Sequence, residues 1–354
     1  MGDYLMDKTF GIGRRSLLQG MTGLAAAGLW PGALRAQDRS LIVASWGGDY
    51  ARLLEQHVAP RLAAAHDLGF TLDTSDSGAR KTKVTTAARL RRAASDVAFF
   101  NDRDMFQMNA MGTMVAVDEL GLSRADDVLP SLRTPYSIPQ IYSGMVIVYD
   151  PAQVATPPTS VRDLWAAEYR NRIGFSDILF TPIIMLSAIA HGGTATDFAP
   201  GIEALDDLKR THAPQVYSSN EAIANAFHAQ EISATLMWKA RAYQWQKAGL
   251  SVQTVVPAEG ILPVTFEAGV ATLSTRKEAA AAFLDTLLEP EAQLAFAQDM
   301  GYLPTTRTAQ LSDEMRARLG FTQAEEDNFN IPDYEYVSRS ISDHLAWWNQ
   351  SFKA

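Results

Sequence analysis

Leu41-Ile42-Val43-Ala44 is an unbroken apolar run, and Ser45, Trp46, Gly47, Gly48 and Asp49 follow it at once. Such a run reads as a strand covered on both faces of a sheet, because a strand with one wet face alternates instead. Gly47-Gly48 ends it by admitting backbone angles that side chains exclude, and a helix is expected from about Tyr50. The space beyond the carboxyl end of a strand, at a helix start, is where open α/β sheets bind small ligands. Ser45, Trp46 and Asp49 are therefore candidate ligand contacts. The run Asp96 to Asp102 repeats the arrangement, an apolar strand ending in Asn101 and Asp102. Two strand ends thus offer polar groups to one cleft.

Strand and helix patterns alternate along the rest of the chain. Leu53, Leu54, Val58 and Leu62 keep helical spacing, Gly69 to Asp73 reads as a strand, and Ser77-Gly78 as a turn. The helical segment Ala79 to Ala94 carries six Lys or Arg, read as a solvated face. Tyr136 to Tyr149 is expected to cross into a second lobe. Beyond it, Ser160 with Asp163 resembles a capping box. Alternation then resumes from Arg172 to Val256, Ile261 to Leu273 returns the chain, and Tyr334 to Phe352 ends it as a helix. This alternation argues for a largely parallel sheet with helices on both faces.

Before the first strand, Gly13-Arg14-Arg15-Ser16-Leu17-Leu18 is close to a twin-arginine export pattern, followed by an apolar Gly- and Ala-rich stretch and Leu34-Arg35-Ala36. Residues 1–36 read as a cleaved signal. Its apolar core of roughly 14 residues is shorter than the ~20 that span a bilayer. The remaining 318 residues exceed what one core usually fills and suit two lobes. Loss of residues 1–36, with four basic and two acidic side chains, takes the net charge from −9 to −11. That charge disfavours nucleic acid and anionic membrane surfaces but not cationic solutes. The absence of cysteine excludes disulfides and thiol chemistry.

The resemblance to one family rests on seven motifs in order. They are Ser45-Trp46-Gly47-Gly48-Asp49-Tyr50, Tyr136-Ser137-Ile138-Pro139, Asp163-Leu164-Trp165 with Glu168-Tyr169, Met237-Trp238, Pro257-Ala258-Glu259-Gly260, Leu288-Glu289-Pro290-Glu291 and Gly301-Tyr302-Leu303-Pro304-Thr305. Their order and spacing resemble those of periplasmic spermidine/putrescine-binding proteins, the solute-binding subunits of ABC importers, over residues 40–354. The resemblance implies an α/β, two-lobed type II binding-protein fold, each lobe a mixed sheet flanked by helices, closing about crossover strands. It places lobe 1 at 37–139 with 267–306 and lobe 2 at 140–266 with 307–354. It implies a periplasmic monomer that hands its solute to a membrane permease, without catalysis or cofactor.

Residue by residue, the resemblance gives Trp46 and Trp238 as aromatics against the ligand's alkyl chain, each cation–π contact being worth ~0.5–2 kcal/mol. Asn101 and Asp102 fall where polyamine binders have small hydroxyl residues. Asp177 lies near the place of an ammonium-pairing carboxylate and Glu267 near that of another, while Tyr142 on the crossing segment joins the set. Lys239 and Arg241 replace small polar residues, and a cation lining the cleft would repel a diamine but pair with a carboxylate. The expected solute is therefore an amine-bearing small molecule, polyamine-like or an ω-amino acid.

Two rivals remain. A ferric-ion binder would use Tyr334-Glu335-Tyr336 as hard oxygen ligands, leaving both tryptophans without a task. An enzyme would need a catalytic constellation, and the chain has no P-loop, G-x-S-x-G or H-E-x-x-H pattern, while its six histidines show no ligand spacing. The export reading has a direct test. Replacing Arg14 and Arg15 together with lysine is expected to leave the precursor in the cytoplasm on fractionation, and normal processing of the double variant would indicate the general secretory route instead.

Overall fold

The computed structural model describes residues 39–354, so the segment 1–36, read from the sequence as an export signal, lies outside the described residues. The strands are β1 (Ser40–Ser45), β2 (Gly69–Thr74), β3 (Val97–Asn101), β4 (Ile138–Tyr149), β5 (Gly174–Ser176), β6 (Gln215–Tyr217), β7 (Ala234–Trp238), β8 (Gln253–Val255), β9 (Leu262–Val270) and β10 (Leu303–Pro304). Eight of them form one sheet in the order β10-β4-β9-β3-β1-β2, with β7 and β8 both pairing with the far end of β4. The short parallel pair β5-β6 continues from β7 through a bridge between Ile173 and Ala234.

The result is an α/β fold of two lobes, with less parallel pairing than the alternation suggests. β1 is parallel to both β2 and β3, whereas every pairing of β4 and β9 in the sheet is antiparallel. The reason is the two long returning strands, which alternation of short segments does not reveal. β1 also departs from the reading of a doubly covered strand, since Ile42 is 43% exposed while Leu41 and Val43 are fully buried.

Two hydrophobic cores lie at the two ends of the sheet. The first gathers Leu41, Val43, Phe99, Val270, Phe283, Leu284 and Phe296. The second gathers Ile147, Phe175, Ile184, Leu236 and Trp348, where Phe352 stacks on Trp348 with ring centroids 4.7 Å apart. Each fully buried large apolar side chain contributes about 1.5–3 kcal/mol. Ser160 and Asp163 do form a capping box, on the 3-10 turn Val161–Trp165.

β4 and β9 join the two ends. All twelve residues of β4 are buried, so its backbone groups must be paired within the protein. Pro139 has no N–H, and the β4–β9 register shifts between Pro139 and Ile141. Side chains fill the gap: Gln293 Nε2 donates to the Gln140 carbonyl at 2.6 Å and Thr305 Oγ1 donates to the Pro139 carbonyl at 2.6 Å, while the Gln140 side chain accepts from Tyr50.

A third link, residues 320–333, runs beside these strands. Tyr142 Oη donates to Glu326 at 2.8 Å and the Asn330 N–H donates to the Ile261 carbonyl at 2.7 Å. The helix Tyr334–Trp347 follows. Gly144 sits where the link crosses β4, and a Cβ there would meet the side chains of Ile261 and Phe321. Gly144→Ala is expected to destabilise the protein by about 1–3 kcal/mol through overpacking, read as a lower midpoint in urea unfolding. An unchanged midpoint would show the crossing to be loosely packed.

Candidate functional site

Strand ends and helix starts from both halves of the chain converge on a cleft of about 540 Å³. β1 delivers Trp46, β3 delivers Asn101 and the helix Asp102–Ala110, and β7 delivers Trp238. The starts of helices Ser77–Arg89 and Phe180–Ala190 also face it, with Leu262 to Val264 and Phe266 of β9, and Pro332, Tyr334 and Val337 of the C-terminal segment.

Trp46 is held from below. The Arg80 guanidinium lies 4.6 Å from its ring centroid, Tyr50 and Phe266 meet it edge-on at 5.0 and 5.1 Å, and its Nε1 donates to Ser77 Oγ at 3.3 Å. Arg80 is fully buried and donates to the carbonyls of Phe99, Ser45 and Ser75 at 2.7, 2.7 and 2.6 Å. Burial pulls it down to about 10, so it remains a cation at neutral pH. One residue of the basic segment is thus a structural post under the cleft floor, although the segment as a whole reads as a solvated face.

Asp102 carries the acidic chemistry. Its Oδ1 accepts the Arg103 N–H at 2.7 Å and its Oδ2 the Thr265 N–H at 3.4 Å, and the Tyr334 hydroxyl donates to it. Burial pushes its carboxyl up to about 6 against these bonds. Glu267, 2% exposed, accepts from Ser137 Oγ at 2.5 Å and Thr265 Oγ1 at 2.6 Å. Burial pushes it up to about 7, and the nearby Asp102 adds to the rise. Asp76 and Asp104 also line the cleft, and Arg103 is the only cationic side chain among the described lining residues. The remaining wall is largely apolar, with Ile178, Leu179, Pro182 and Met185 beside Trp238.

Of the residues singled out from the sequence, Trp46, Asn101, Asp102 and Trp238 line the cleft. Asn101 is occupied as a helix cap, its Oδ1 accepting the Asp104 N–H at 2.8 Å. The other seven are placed elsewhere. Ser45 is fully buried. Asp49 is bound to Arg52 at the surface, and Tyr142 is tied to Glu326 at the third link. Asp177 is turned away, accepting from Trp348 Nε1 at 2.8 Å and Lys353 Nζ at 2.5 Å. Arg241 faces Gln244 and Glu221, and Lys239 reaches the Gly320 carbonyl and the Phe321 ring. Glu267 stands in the interior next to Asp102, off the lining. The helix Lys239–Lys247 turns Lys239 and Arg241 away from the cleft, which spacing from Trp238 does not disclose.

Ser77, Arg103, Thr181 and Phe266 are cleft residues that sequence reasoning missed, and Tyr334 entered it only for the ferric-ion rival. The signal for Thr181 is Pro182, a residue typical of a helix start. Tyr334 comes from the far end of the chain and has no local signal. It does not pair with Tyr336, whose hydroxyl accepts the Phe198 N–H at 3.2 Å and whose ring packs on Phe198. Among the described residues, no group of three or more His, Asp or Glu side chains is placed to hold a metal ion.

Comparison with known proteins places this cleft in context. The spermidine/putrescine-binding periplasmic protein of Salmonella typhimurium is 23% identical over 246 residues, 66% of this chain and 68% of that protein. An ABC transporter structure from Clostridium perfringens superposes with a TM-score of 0.76 at 22% identity, covering 88% of this chain and 99% of the other. A GABA receptor structure gives 0.74 at 18% identity, covering 89% and 98%. At these identities the two structures establish the fold. A model of the bacterial extracellular solute-binding proteins matches residues 58–323, well over half of the sequence. The chain therefore belongs to the bacterial extracellular solute-binding protein family.

Proposed function

We propose that the protein captures an amine-bearing small solute in the cleft between Trp46 and Trp238, outside the cytoplasmic membrane, and presents it to the permease of an ABC importer. The observation that carries this reading is Asp102, a carboxylate with no cationic side chain bonded to it, set in an aromatic and apolar trough. An ammonium group supplies the missing charge, and the tryptophans bury the carbon chain that bears it. Of the three carboxylates at the cleft, Asp104 is paired with Lys81 at 2.7 Å and Asp76 caps the helix that starts at Ser77, so Asp102 is the one left to receive a cation. The relatives' printed names agree, one with polyamines and one with GABA, both of which carry amines. No helix of the described residues is long and apolar enough to cross a membrane, which suits a protein that meets its permease as a separate subunit. The lobes in this reading are 37–139 with 267–306 and 140–266 with 307–354, moving about β4 and β9.

Trp238→Ala should weaken solute binding by ~2–4 kcal/mol, roughly 30- to 800-fold, as for a central aromatic anchor. Calorimetry with 4-aminobutyrate, putrescine and spermidine checks this, and wild-type affinity in the variant would place the solute elsewhere.

The raised acids give a pH dependence. Asp102 is a neutral acid below about pH 6 and a carboxylate above it, so amine affinity should rise between pH 5 and 7.5, and Asp102→Asn should be weak and flat across that range. Without solute the sign for stability is opposite. Glu267 keeps its proton to about pH 7 when folded but only to about 4.5 when unfolded, so its contribution is full below pH 4.5 and lost as pH rises through 7. Glu267→Gln should shrink that decline in thermal melts, whereas an unaltered pH profile would remove Glu267 as its cause.

A further inference from the structure

Three turns, at residues 90–91, 111–112 and 272–273, meet beyond the ends of β3 and β9 that lie away from the cleft. Thr272 ties two of them, its N–H donating to the Thr113 carbonyl and its Oγ1 to the Gly112 carbonyl, both at 3.0 Å. The third closes the helix Ser77–Arg89, where the Arg91 N–H donates to the Ala88 carbonyl at 2.9 Å and the Arg92 N–H to the Ala87 carbonyl at 3.1 Å. Ala88, Arg92, Gly112, Thr272 and Leu273 line one hollow between the turns. The helix starts at the cleft and runs thirteen residues, so its far end stands ~20 Å away.

Each turn presents one large apolar side chain to solvent. Leu90 is 62% exposed, Met111 52% and Leu273 43%, three of the seven large apolar side chains exposed among the described residues. Exposed apolar groups gathered within a polar rim mark a surface that something covers. The rim here is cationic. Arg89, Arg91 and Arg92 are exposed, and none takes part in an ion pair or a side-chain hydrogen bond among the described residues. No acidic side chain lines the hollow. The net charge of −9 disfavours anionic surfaces for the chain as a whole, and these three arginines reverse the sign locally.

We propose that this tip docks on an anionic phospholipid surface, Leu90, Met111 and Leu273 entering the acyl boundary and the three arginines pairing with headgroup phosphates. Guanidinium forks match phosphate oxygens bidentately, and apolar side chains flanked by cations are what an interfacial membrane contact requires. The hollow, about 40 Å³, is far below the roughly 300 Å³ of a small-molecule site, so a second solute does not fit. An acidic protein would match the charge but needs a continuous face of roughly 800 Å², which three turn tips offering one apolar side chain each do not form. Docked this way, the protein is held at the membrane with its cleft uncovered.

Sedimentation with vesicles of equal parts phosphatidylglycerol and phosphatidylethanolamine tests the docking, with phosphatidylcholine vesicles as the uncharged comparison. Residues 37–354, which contain both cores, are used, since the apolar stretch within 1–36 would itself bind lipid. Wild type should partition onto the anionic vesicles and not the neutral ones, and added salt should weaken the partitioning. Replacing Arg89, Arg91 and Arg92 together with glutamine should lower it about 100-fold, and Leu90→Ser about 10-fold, with melting temperatures matching wild type. The chain has no cysteine, so Leu90→Cys carries an environment-sensitive dye at that site alone, and its emission should shift to the blue on anionic vesicles. Wild type that ignores anionic vesicles, even if it binds an acidic protein, a triple variant that partitions as wild type does, or a dye that stays in water overturns the membrane contact.

Discussion

A strand of twelve buried residues must find partners for its whole backbone inside the protein, and β4 does so by using different neighbours along its length. Its first half pairs with β9 and β10, its last five residues with β7 and β8. One continuous sheet consequently serves both cores. Where Pro139 breaks the ladder, Gln293 and Thr305 supply donors to the Gln140 and Pro139 carbonyls. Unpaired backbone at such depth would cost several times what one surface contact contributes. The cleft depends on this junction, because β9 places Phe266 at the cleft and Glu267 beneath it, and β4 carries β7 with Trp238.

The charges near the cleft follow from how each is solvated. Arg80 is satisfied by backbone carbonyls and has no need of a carboxylate, so it can support Trp46 without consuming an acid. Glu267 is satisfied by two hydroxyls and has no cation, which is why burial raises it. Asp102 lies between these extremes, bonded to N–H groups and to Tyr334 yet partly open to the cleft. In an apolar trough a cation brought to Asp102 meets less screening than at the surface.

Much of this was legible in the sequence and some was not, for identifiable reasons. Strand ends bearing Trp46 and Asn101-Asp102 are local features, since an apolar run followed by Gly-Gly or a helix cap fixes both the element and its end. Trp238 has no such local stop and is reached through the family resemblance. Asp177 and Arg241 were misplaced because a one-residue change of direction at a helix start turns a side chain out of a cleft, and Trp348 and Lys353, more than 170 residues away, settle where Asp177 points. Tyr334 could not be assigned without knowing that residues 320–333 carry the chain across the back of β4.

The sequence by itself determined the alternation of elements, the placing of Trp46 just after a strand end, and the likeness to a family, because period, turn residues and motif order are properties of neighbours along the chain. The tertiary structure alone decided that β4 and β9 run antiparallel through one sheet, that Glu267 lies under Asp102 and not in the cleft, and that the turns bearing Leu90, Met111 and Leu273 meet at one end. Those facts are fixed by pairing and burial between distant segments, which no local pattern encodes.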